Sequence, residues 1–128
     1  MTIRDVIAWV DEIKPNAFSE DVKTEWVSNL EGRIAADVFL LGDAAVLAPR
    51  YVFPQDQDAV LLVKFPHDDI YKYWVQAKVD EANGEYNKYH NTLAIFNNHY
   101  SNFLVWFKTT YDPEHGYDGR LTRPIFDF

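Results

Sequence analysis

The chain has 128 residues, 48% hydrophobic and 16% aromatic, which suits one domain with a real core and excludes global disorder. Its net charge of −8 repels phosphate, so tight nucleic-acid binding and docking on anionic membranes are both disfavoured. The absence of cysteine excludes a disulfide frame, thiolate metal sites and a cysteine nucleophile, and it fits a cytosolic setting.

The first element is a helix. Thr2 and Asp5 have the spacing of a capping box, with Asp in place of the usual Glu. Ile3, Val6, Ile7, Val10 and Ile13 then recur at spacings of three and four, one apolar stripe. Lys14-Pro15-Asn16 ends it, because proline cannot continue the helix. The start, MTIRDVIAWVDEI, is amphipathic and acidic, unlike a secretory signal. A second helix is expected from the N-cap Ser19, with Glu20 and Asp21 in its first turn where the macrodipole favours acids. Val22, Trp26, Leu30, Ile34 and Val38 mark its buried face. Gly32 costs roughly 1 kcal/mol against Ala inside a helix, so close packing is expected there. Gly42 is the expected stop.

Residues 43–66 read differently. Pro49, Pro54 and Pro66 punctuate them, Asp56-Gln57-Asp58 has turn character, and Ala59 to Phe65 is a short β-branched apolar run. A connection of this length is commonly functional. Two readings stay open: an arm that reaches a neighbouring subunit, or a loop folded over its own core. Val60, Leu61, Leu62 and Val63 are the contact candidates on the first reading.

A third helix is expected from Asp68 and Asp69, as N-cap and first-turn acids, with Ile70, Tyr73, Trp74 and Ala77 as its stripe. Asn83-Gly84 signals a break between Ala82 and Asn91. The last helix runs to about Tyr111, where Asp112-Pro113 ends it. The fold expected is all-α: a small bundle of about four helices, with a long extended connection between the second and third. The helical domain covers 1–111 and an irregular tail covers 112–128. That tail ends in Ile125, Phe126 and Phe128, apolar residues that call for a docking surface on a neighbouring subunit or partner.

Gly84 to Phe107 is crowded with aromatics, asparagines and two histidines, which raises the question of a site. Tyr86, Tyr89, Leu93, Phe96, Tyr100, Phe103 and Phe107 are spaced alternately by three and four, the pattern of a helix packing seam. His90 and His99 flank it, roughly 13 Å apart along a helix, too far to share one metal ion. H-E-x-x-H, G-x-G, the P-loop, an EF-hand loop and a nucleophile elbow are all absent. No catalytic residue, cofactor or metal is expected, and the chain reads as a non-enzyme.

Ile13 to Ile34, IKPNAFSEDVKTEWVSNLEGRI, resembles the N-terminal motif of phage and prophage head–tail connector (adaptor) proteins. That motif runs Lys-Pro-Asn, an aromatic, a short acidic start, Trp, then Leu-Asp/Glu-Gly. The similarity continues in LLVKFPHDDIYKYWVQAKVDEANGEYNKYHN and IFNNHYSNFLVWFKTTY and spans about residues 3–111. The resemblance implies a small α-helical virion protein, present in the host cytoplasm during assembly. It would form a ring at the neck beneath the portal, extend the DNA channel without binding DNA specifically, and receive neck or tail proteins. Contacts in a closed ring are heterologous. The other reading of the residues is a small acidic protein-binding or regulatory helical domain without catalysis.

Overall fold

A computed structural model describes residues 1–38 and 50–110. Among them are four helices, α1 (Ile3–Ile13), α2 (Glu20–Asp37), α3 (Asp69–Ala82) and α4 (Tyr86–Thr110), so the protein is a small all-α bundle. The expected boundaries at Gly42 and Asp112-Pro113, Pro49, and the tail residues Ile125, Phe126 and Phe128 lie outside the described residues.

Local chemistry sets the helix ends. The Thr2 hydroxyl accepts from the Asp5 amide (3.2 Å), and the Thr2 amide donates to Asp5 Oδ2 (3.0 Å), a complete capping box. Ser19 caps α2 by accepting from the Val22 amide. α3 ends in a Schellman motif: the Gly84 amide donates to the Glu81 carbonyl and the Glu85 amide to the Asp80 carbonyl, both at 3.0 Å. Gly84 has φ +73°, which a side chain would resist, so the glycine of Asn83-Gly84 is required there. Asp68 does not cap α3 with its side chain. The first turn is closed instead by backbone bonds from the Ile70 amide to the His67 carbonyl and from Tyr71 to Asp68.

α3 is the central element. It packs on α1, α2 and α4; α1 also packs on α2, while α4 packs mainly on α3 and reaches α2 through the Tyr100–Asp37 hydrogen bond. The core joins Ile3, Val6, Ile7 and Val10 of α1 to Leu30 and Ile34 of α2. Ile70, Tyr71 and Val75 of α3 and Phe96, Phe103 and Phe107 of α4 complete the helical contribution. Antiparallel packing of α3 on α4 is fixed by rings, Trp74 on Phe96 (5.1 Å) and Tyr73 on His99 (4.8 Å), and His67, just before α3, lies on Trp106 (4.6 Å).

The connection folds back on this core. The Leu61 amide donates to the Met1 carbonyl (3.0 Å), and Thr2 and Val60 form a single antiparallel bridge. Leu61 and Val63 are fully enclosed. Each such burial stabilises by about 1.5–3 kcal/mol, which anchors the segment to its own bundle. This corrects the arm reading for Leu61 and Val63, which have no surface left for a neighbour. Val60 is exposed and Leu62 half-buried, so those two alone of the four present any surface.

Three details of the expected faces also change. Ile13 is exposed, so the α1 stripe ends at Val10. A spacing of four drifts around a 3.6-residue helix, so Val22 is exposed and Trp26 half-buried, while Val27, Glu31 and Ala35 take the inner face. Around Gly32 no described residue lies within 4 Å of where a Cβ would stand, so no close approach among them explains it.

Candidate functional site

The inner face of α2 carries a carboxylate. Glu31 stands one turn from Val27 and Ala35 and is fully buried. Its Oε1 accepts from the Tyr71 hydroxyl, and its Oε2 accepts from the Tyr51 hydroxyl (2.9 Å) and the Leu62 amide (3.0 Å). The Tyr71 hydroxyl in turn accepts from the Val63 amide (2.9 Å). Burial pushes the Glu31 carboxyl above its ordinary range, against the pull of these donors and of Lys64. Burial and the nearby Glu31 push both tyrosine hydroxyls up as well, so they remain protonated donors. The cluster clamps residues 51–63 to α2 and α3. It is closed on every side by its own partners, which leaves no room for a substrate at the carboxylate.

Two further buried polar groups complete this frame. Asp80 accepts from Lys14 Nζ with both oxygens (2.7 and 2.8 Å) and from the Thr92 hydroxyl (3.0 Å), so one side chain joins α3 to the end of α1 and to α4. Lys23, also buried, donates to Asp11 (2.7 Å) and to Asn16 Oδ1 (3.2 Å), pinning the α1–α2 turn. Asn16 Oδ1 accepts from the Phe18 amide too. None of Glu31, Tyr51, Tyr71 and Asp80 stands out as a site in the sequence. The available signal was the position of Glu31, one turn from Val27 and Ala35 on an otherwise apolar face.

The histidines serve packing. His67 lies against Trp106 and Phe103, and burial lowers its pKa despite the adjacent Asp68. His90 is exposed beside Tyr89, and His99 packs on Tyr73. Among the described residues, no group of three or more His, Asp or Glu side chains is placed to hold a metal ion. No helix among them is long and apolar enough to cross a membrane.

The seam residues divide by depth. Phe96, Phe103 and Phe107 are buried; Leu93 and Tyr100 are half-buried against the same core, and the Tyr100 hydroxyl donates to Asp37 of α2 (3.2 Å). Tyr89 is half-buried, and Tyr86 is 63% exposed because α4 begins there beyond the end of α3. The opposite side of α4 faces solvent: Asn87, Asn91, Ala94, Asn98, Asn102 and Val105 are all exposed. On α2, an open groove of about 470 Å³ is lined by Asp21, Glu25, Ser28, Gly32, Tyr51 and Val52, among others. Its acids lie one turn apart, Arg50 also lines it, and the Ser28 hydroxyl accepts from the Tyr51 amide (3.0 Å).

Neither a family model, a curated protein nor a solved structure matches the chain.

Proposed function

We propose that the protein is a virion structural subunit, a head–tail connector (adaptor) that assembles as a ring beneath a portal, extends the DNA channel and receives neck or tail proteins. One observation carries most weight beside the motif resemblance. Several polar residues of the resembling segments are committed to internal bonds: Lys14 to Asp80, Asn16 to Asp11 and Lys23, and Glu31 to two tyrosines and a backbone amide. Gly84 of the Asn-Gly-Glu segment makes the α3–α4 turn. Motif residues spent on holding a shape favour a protein whose work is assembly rather than catalysis. The acid excess is compatible with DNA passing along a wall without sticking.

The test is co-assembly with the cognate portal protein, followed by electron microscopy. A ring of added density on the portal is the expected result. Portals that stay bare across a wide range of added protein would refute the connector role.

A further inference from the structure

The groove on α2 carries three charges that the bundle leaves unpaired. Asp21, Glu25 and Arg50 all line it, and none of them belongs to an ion pair among the described residues. The charges are also separated along the helix. The Tyr51 amide donates to the Ser28 hydroxyl, and the Gln57 side-chain amide donates to the Thr24 hydroxyl. Residues 51–57 therefore run back along α2 toward its N-terminus, and Arg50 enters the groove beyond Ser28, on the Gly32 side. The acids lie on the other side of Ser28. From Asp21 to Ser28 is about 10 Å along the helix, and from Asp21 to Gly32 about 17 Å. Half-exposed Val52 adds an apolar wall between them. A complementary occupant has a cation at one end, an anion roughly 10–15 Å away, and apolar side chains between.

The tail of the chain has that order. Arg120 and Arg123 are followed by Pro124, Ile125 and Phe126, then by Asp127. Two arginines against one aspartate make this stretch cationic in a chain with 20 acids and 12 bases. Pro124 biases Arg123 toward extended backbone, so Arg123 and Asp127 stand about 13 Å apart. With Arg123 at Asp21, Asp127 falls between Ser28 and Gly32, where Arg50 enters, and Phe128 falls at Gly32.

The groove of the same molecule is nearly out of reach. α2 and α4 both run antiparallel to α3, so they point the same way, and Tyr100 meets Asp37. α4 continues ten residues past Tyr100 to Thr110, about 15 Å, while Asp21 lies 16 residues before Asp37, about 24 Å in the other direction. The 13 residues from Thr110 to Arg123 span at most about 45 Å, against about 39 Å along the axis alone. Only an almost fully stretched chain closes that gap, whereas the groove of another molecule sets no such demand.

We propose that the α2 groove holds the tail segment Arg123–Phe128 of a second copy of the chain, with Arg123 at Asp21 and Glu25 and Asp127 at Arg50. Tail into groove is a heterologous contact, which propagates from copy to copy. Closure of that series into a ring rests on the connector reading; the contact itself rests on the groove and the tail. A strip about 17 Å long and about 10 Å wide covers roughly 350 Å² over both partners, far below the ~1,200 Å² of stable complexes. The isolated contact is therefore weak, and covalent trapping suits it.

The chain has no cysteine of its own, so Gly32→Cys and Phe128→Cys are clean probes, and the new Cβ at position 32 meets no described residue within 4 Å. Circular dichroism checks that each variant keeps its helix content, and Asn29→Cys, also in the groove lining, replaces Gly32→Cys if that variant loses helix. Under mild oxidation at high protein concentration, mixing the groove and tail variants is expected to give a mixed disulfide dimer. Adding Arg50→Glu to the groove variant should cut that dimer by about tenfold, and Asp127→Lys in the tail variant should restore it. The proposal is overturned if Phe128→Cys pairs mainly with itself, or if the mixed dimer is no more abundant than one made with Asn91→Cys on α4 in place of the groove probe. Absence of any cross-link overturns it too. In the double variant a ladder of multimers that fades on dilution is expected; a closed monomer insensitive to dilution would assign the groove to the molecule's own tail and overturn the contact between copies. The portal assay is read separately. A ladder without portal binding refutes the connector reading and leaves the contact standing; portal rings that do not cross-link between positions 32 and 128 do the reverse.

Discussion

Tyr71→Phe tests whether the buried carboxylate cluster holds the connection to the bundle. The substitution keeps the ring and removes one hydroxyl, which donates to Glu31 and accepts from the Val63 amide. Losing the bond to Glu31 costs about 1–1.5 kcal/mol, and leaving the buried Val63 amide without an acceptor adds about 1–3 kcal/mol, so a loss of about 2–4 kcal/mol is expected. Tyr51→Phe is the internal comparison. Its hydroxyl shares Glu31 Oε2 with the Leu62 amide, so that oxygen keeps a donor and the cost should stay near ~1 kcal/mol. Urea unfolding followed by tryptophan fluorescence measures both, with the m-value reporting whether the native state stays equally compact. Against a total stability of about 5–15 kcal/mol the difference is easily resolved. Equal costs for the two variants, or a Tyr71→Phe loss below ~1 kcal/mol, would refute the clamp.

Three other outcomes follow from the same frame. Glu31 has a folded-state pKa raised above its ordinary 4.5, so its contribution is full below that value and is lost as pH rises through the raised one. The stability gap between wild type and Glu31→Gln should therefore shrink from acid toward neutral pH in a urea series, and a widening gap would contradict the burial argument. Lys14→Met should cost about 2–4 kcal/mol and exceed Asp80→Asn. It strands a carboxylate that is 1% exposed, whereas a freed Lys14 can turn to water; equal losses in thermal melts would count against this. Gly32→Ala should stabilise the isolated chain by about 1 kcal/mol, near 4 °C in melting temperature, since the added methyl meets no described residue. A destabilised variant in calorimetry would show that the site is tighter than described.

What could be read in advance was what depends on neighbours in sequence. The Thr2–Asp5 box, the Ser19 cap and the Asn83-Gly84 break are local devices, and the helices start and stop there. Depth was harder. A fixed spacing of four on α2 chose Val22 over Val27, because drift around the helix accumulates over its 18 residues. The polar frame was illegible for another reason: Lys14 and Asp80 are 66 positions apart, and Tyr71 and Glu31 are 40 apart. Composition holds no trace of such pairings. In the connection, Leu61 and Val63 point inward while Val60 points out, the period of a strand, but the uniformly apolar run hides that alternation.

Asp80 has a consequence for how the molecule opens. α1 and α4 do not pack on each other among the described residues, so without a shared partner the two could loosen independently. One carboxylate bound to Lys14 and to Thr92 removes that independence, because releasing either partner weakens the hold on the other. The last turn of α1 and the first turns of α4 should then exchange their amide hydrogens as one cooperative unit. The part of the molecule that yields first is thereby larger than any single helix end.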